Sequence, residues 1–225
     1  VSLAKKEKRV AMSRIIDRGL EEQIVLLTRM SELTYEILSV SLHGYLQAKS
    51  VQAQVREMSD MLVAMADKVE DKTFELIARF QPVASDLRAI KSYMKVSNDF
   101  ARYSRYALDI ASINEQLNGI EKCESWIKAY LAEMSQKVLS MVRASVDSLR
   151  KHDVAIATTI TSTEREVDKM YLDFFNRLIS DDKVDNKCVV SSMLVTRYLE
   201  RIADHAVYIC ESVVYIVTGE KVSLG

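Results

Sequence analysis

Two pairs of acids carry the spacing in this chain best able to support chemistry. Glu200 and Asp204 stand four residues apart, and Glu164 and Asp168 repeat the same ExxxD step. A helix turns about 100° per residue, so each pair lies one acid above the other on a single face. If two such helices packed antiparallel, four carboxylates would converge. They would repel unless a cation neutralised them, and hard oxygen donors suit Mg, Ca, Mn or Fe. A plainer arrangement uses the same residues: Arg197 and Arg201 lie three or four positions from Glu200 and Asp204. Solvated helix faces of that kind gain a few tenths of a kcal/mol per ion pair. Spacing leaves both open.

Catalytic signatures are missing. A carboxylate-bridged di-iron site of the oxygenase type calls for ExxH, whereas Val40, Leu149 and Ile202 stand three residues before His43, His152 and His205. There is no Gly-rich phosphate loop, HExxH or GxSxG. The chain is therefore expected not to be an enzyme. His205 follows the acid motif but points away from it on the helical wheel, and a local hydrogen bond is expected for it.

The elements that position these acids must be helices. Only 5 Gly and 1 Pro occur in 225 residues, and 48% of the chain is apolar. Charge is nearly balanced, 31 Lys and Arg against 32 Asp and Glu, so no global field draws nucleic acid or an anionic membrane. No apolar run approaches the roughly 20 residues of a membrane span, and the start, VSLAKKEKRVAMSR, does not read as a secretory signal. A cytoplasmic protein is expected, meeting membranes only through partners. The basic residues Lys5, Lys6, Lys8, Arg9 and Arg14 could favour anionic lipid or form a solvated terminus. Cys123, Cys188 and Cys210 are odd in number and lack CxxC spacing, so they are expected to fill the core rather than to form a disulfide or a zinc site.

Periodicity and turn signals give six helices, roughly 10–47, 50–79, 83–117, 119–149, 153–180 and 184–218. Ser50 is a candidate N-cap, Pro82 a hard stop, Gly119 a junction, and Asp181-Asp182 a break. Short links require antiparallel neighbours. In the last helix Val195, Leu199, Ile202, Ala206, Ile209, Val213 and Ile216 form one apolar stripe, and Ile160, Val167, Tyr171, Phe174 and Leu178 form that of the fifth. Met58, Met61, Met65, Val69, Leu76 and Phe80 are expected to do the same on the second.

The chain also repeats. An offset of 99 residues lays FARYSRYALDIA, Phe100 to Ala111, over LERIADHAVYIC, Leu199 to Cys210, so that Phe100 meets Leu199 and Ile110 meets Ile209. So long a period reads as a duplicated domain rather than a solenoid. The expected architecture is all-α: two tandem antiparallel three-helix bundles related by an internal repeat. A basic segment would span 1–11, the first bundle 12–118 and the second 119–220.

Three stretches carry a family likeness: MSRIIDRGLEE near the start, QPVASDLR from Gln81 to Arg88, and YLERIADHAVYICESVVYIVTGE. They resemble the PhoU family of phosphate-uptake regulators, whose Glu-Arg-Ile-Gly-Asp motif is matched by ERIADHA with Ala203 in the glycine position. The likeness covers about Met12 to Glu220. It implies negative control of phosphate uptake and signalling through a phosphate ABC transporter and a sensor histidine kinase. It further implies a bound divalent or trivalent metal ion (Fe, Mn, Mg, Zn or Ca). A homodimer is also expected. Carried over by position, Glu200 and Asp204 are the motif acids of the second repeat, and Glu164 and Asp168 join them by spacing alone. The first repeat departs from the pattern, with Ala101 and Arg105 in the acid positions. Asp60, Asp67 and Asp71 nonetheless form an acidic row on its second helix. Either Arg105, helped by Arg102, supplies the charge a metal would supply, or the row simply faces water.

Overall fold

The structure is a computed structural model that describes residues 15–225, with side chains from Ile16 onward. The basic segment and its lysines therefore lie outside the described residues. Six helices and no strand are present among the described residues: α1 (Ile15–Leu46), α2 (Gln52–Phe80), α3 (Ala84–Leu117), α4 (Ser125–Lys151), α5 (Val154–Ile179) and α6 (Asn186–Thr218). Helices α1 to α3 form one bundle and α4 to α6 the other. None of them is long and apolar enough to cross a membrane.

Local chemistry explains most of the boundaries. Asp153 accepts hydrogen bonds from the Ala155 and Ile156 N–H groups, and Asp185 from those of Lys187 and Cys188, so α5 and α6 each begin on an acidic N-cap. Helix α2 ends one residue before the Gln81-Pro82 step. Ser50 does not cap α2; its hydroxyl donates to Glu115, and Val51 holds the N-cap position without a side-chain bond. Helix α4 starts at Ser125 rather than near 119. Gly119 takes a φ of 56°, and a Cβ there would sit 2.8 Å from the Tyr45 carbonyl oxygen, so the chain turns where the helix was expected to start.

The cores follow the expected stripes with one exception. On α6 the residues Val195 to Val213 of the stripe are buried, with Ile216 partly so, and on α5 Ile160, Val167, Phe174 and Leu178 are buried. On α2 the buried line runs through Val55, Met58, Leu62, Ala66, Val69 and Leu76, while Met61 is 51% exposed. Met61 lies one residue before Leu62, which takes the inward place. Large aliphatic side chains buried in this way contribute about 1.5–3 kcal/mol each.

The two bundles share one continuous core, joined chiefly by α3 against α6. Their seam is arranged about the internal repeat. Asp99 Oδ1 lies 2.8 Å from His205 Nδ1, and Tyr106 hydroxyl lies 3.3 Å from His205 Nε2. Tyr106 and His205 are repeat equivalents 99 residues apart. The position equivalent to Asp99 is Tyr198, whose ring stacks near Tyr106 at 5.7 Å between centroids. His205 thus bonds across the seam, not locally. Tyr45, whose hydroxyl is 2.9 Å from Ser191 Oγ, adds a second polar link between the bundles.

Cys123 and Cys188 are joined by a disulfide, with Cα atoms 5.5 Å apart and 65 residues between them in sequence. This corrects the expectation that all three cysteines are free. Only Cys210 remains a buried thiol, its pKa pushed up to about 12 by burial. The bond ties the α3–α4 connection to the first turn of α6, closing a long loop in the unfolded chain. Reduction is expected to lower stability by about 2–4 kcal/mol. Urea unfolding with and without dithiothreitol measures this, and a variant carrying Cys123→Ser and Cys188→Ser should not respond to reductant. Replacing Asp99 by Ala strips the buried His205 Nδ1 of its partner, and a loss of about 1–3 kcal/mol is expected in the same assay.

Candidate metal centre

The acids reach one place from two helices. Glu164 and Asp168 project from α5, and Asp204 from α6, each offering an oxygen within 4.8 Å of the others. The ExxxD spacing sets this convergence, because both steps lie beside the apolar stripes that hold α5 against α6. Glu164 is buried, at 8% exposure, and Asp204 is half-buried. Glu200 stands one turn before Asp204 but is turned aside: one oxygen takes the Arg197 guanidinium, while its Oε2 is buried with no hydrogen-bond partner. Arg197 itself lies over the Tyr171 ring, 5.6 Å from its centroid.

Three of these carboxyls are held above the ordinary carboxylate range. Burial is the largest cause for Glu164, followed by the charges of Asp168 and Asp204. Burial also leads for Glu200, with Asp204 next. For Asp204, burial and then Asp168 raise the value against the opposing charge of Arg201. A cation would remove this penalty. The donors are all oxygen, so Glu164, Asp168 and Asp204 fit a hard divalent or trivalent ion such as Mg, Ca, Mn or Fe better than zinc, while Glu200 stays outside the group on Arg197. When bound, such an ion would neutralise the cluster and cross-link α5 to α6.

The surroundings were not read from the sequence. A cleft of about 250 Å³ beside the cluster is lined by Val207, Tyr208, Glu211, Ser223 and Gly225 as well as Glu164 and Asp204. The segment after α6 folds back to form one wall, with the Leu224 N–H donating to Glu211 Oε1. Val222 and Leu224 pack on the core and hold it there; their alternation was the available signal.

The first repeat has no such cluster among the described residues. Ala101 packs half-buried against the core, and Arg102 and Arg105 are exposed. Asp60, Asp67 and Asp71 are exposed too, and no ion pair joins them to either arginine. Of the two readings of that row, the geometry has it facing water.

The model of the PhoU domain matches this chain twice, over residues 27–113 and 131–213. The chain belongs to the PhoU domain family. A relative from Clostridium acetobutylicum, named a phosphate-specific transport system accessory protein PhoU homolog, is 32% identical over 216 residues, covering 94% of this chain and 98% of the relative. The crystal structure of PhoU from Pseudomonas aeruginosa superimposes with a TM-score of 0.85 at 28% identity, over 91% of this chain and 99% of that one. The phosphate transport system regulatory protein PhoU from Streptococcus pneumoniae shares the fold, with a TM-score of 0.72 at 24% identity over 92% and 99% of the two chains. The PhoU domain limits fall within the two bundles.

Because the native carboxyls bind protons more tightly than unfolded ones, the metal-free protein loses stability as pH rises through and above the ordinary carboxylate range. Thermal melts of chelator-treated protein at about pH 5 and about pH 7 should show the higher midpoint at the lower pH from this site. Asp204→Asn should reduce that difference by removing a like charge. Added Mn or Mg should raise the neutral-pH midpoint of the wild type and leave the variant unchanged.

Proposed function

We propose that this chain is a negative regulator of phosphate uptake and phosphate-responsive signalling. It works as a cytoplasmic homodimeric adaptor that docks on a phosphate ABC transporter and a sensor histidine kinase. Its near full-length match to a phosphate-specific transport system accessory protein carries this reading. The sequence lacks the usual catalytic signatures, which supports binding rather than turnover. In this reading Glu164, Asp168 and Asp204, with Glu200 after release from Arg197, hold a metal ion that fixes α5 against α6. The partner surface is then stiffened at its second repeat. The domain limits 12–118 and 119–220 belong to the same proposal, each repeat being one structural unit.

The ion pair between Arg197 and Glu200 favours a second reading, in which the bundle works without metal and its surface alone binds partners. Metal analysis of purified protein separates the two. The first expects bound metal in the wild type and its loss in Asp204→Asn; equal, negligible content in both supports the second. The regulatory role is tested by affinity capture from the native cell at high and low phosphate. Transporter or kinase components should be recovered, and recovery of neither would refute the adaptor role.

A further inference from the structure

A second cleft lies on the other side of the segment after α6. It opens along the α3–α6 seam with a volume of about 280 Å³, and its lining includes Lys91, Ser92, Lys95, Glu211, Tyr215 and Lys221. Lys91 and Lys95 come from α3 and Lys221 from the returning segment, so two separate parts of the chain bring cations to one place. None of the three is in an ion pair. Lys91 Nζ lies 5.8 Å from the Tyr215 ring centroid and Lys95 Nζ 5.5 Å from that of Tyr208, which draws both ammonium groups toward α6. Glu211 is the acid in the lining, and its Oε1 already accepts the Leu224 N–H.

Ser92 is buried, and its hydroxyl makes no hydrogen bond within the protein. That hydroxyl is left to donate to a ligand in the cleft it lines. The repeat supplies an internal control. At the 99-residue offset, Lys91 and Lys95 correspond to Val190 and Leu194, which are 51% and 43% exposed. The fold therefore accepts apolar side chains at these positions, and packing does not require lysines there.

We infer that this cleft binds a small, multiply charged oxyanion of the phosphate class, held by Lys91, Lys95 and Lys221 with the Ser92 hydroxyl donating to it. Lysines act as point charges toward such anions, and a serine hydroxyl adds direction. The inference goes beyond the adaptor role, because it places a ligand on this chain itself. The same chemistry is offered by free inorganic phosphate and by the phosphoryl headgroup of an anionic lipid.

Calorimetric titration of the full, chelator-treated chain with inorganic phosphate tests the first source. Co-sedimentation with phosphatidylserine vesicles, against phosphatidylcholine vesicles, tests the second. Saturable binding in one of them is expected, weakened about tenfold in Lys91→Ala and in Lys95→Ala and unchanged in Arg105→Ala. Both lysines are exposed, so these variants should keep the wild-type helical signal, and Ser92→Ala provides an independent reading. Absence of binding to both probes overturns the inference, as does binding that the lysine variants leave intact. Binding that needs added metal and is lost in Asp204→Asn overturns it as well, because the anion would then sit on the acid cluster. Partner capture does not enter these measurements, so failure here is separable from failure of the adaptor reading.

Discussion

The burial of α3 against α6 is the constraint on which the rest of the structure depends. Phe100, Tyr103, Ala107 and Ile110 on one helix, and Leu199, Ile202, Ala206 and Ile209 on the other, are fully excluded from water. Apolar burial on this scale outweighs anything the exposed ion pairs supply. It is the larger of the contacts that fuse the two bundles, α1 against α4 being another, and it fixes how α6 is rotated about its axis. That rotation decides which residues of α6 meet α5, and so where Asp204 points. The acid cluster is thus a by-product of packing on the opposite side of the same helix.

Much of this was legible in the residues. The six helices, the duplication and the stripe from Val195 to Val213 follow from a period near 3.6 and from burial on one side. Glu164 and Asp168 were singled out by spacing alone, and Asp204 by spacing together with the family motif, because an i,i+4 pair is a local relation that a helix translates directly into geometry. Glu200 was harder to place. Its sequence neighbours include a competing arginine, and the side-chain rotamer that chooses between Arg197 and the cluster is not encoded by spacing.

The features that escaped are the long-range ones. Cys123 and Cys188 are 65 residues apart with no spacing signature, and the turn from Gly119 that brings them together depends on the Tyr45 carbonyl of another helix. Asp99 and His205 belong to different repeats, so their bond becomes visible only once α3 is packed against α6. Met61 failed for a smaller reason. A helix whose methionines recur every three or four residues allows two neighbouring faces, and Leu62 took the inward one.

The contact between Asp99 and His205 gives the two halves unequal duties. His205 follows Asp204 directly, and it is gripped by the repeat that has Ala101 and Arg105 where the acids would stand. The half of the chain without the acid cluster therefore acts as the jig for the half that has it, clamping its motif helix from behind. The first repeat can lack an acid cluster and still serve the second, through Asp99, Tyr106 and the apolar surface that does the clamping.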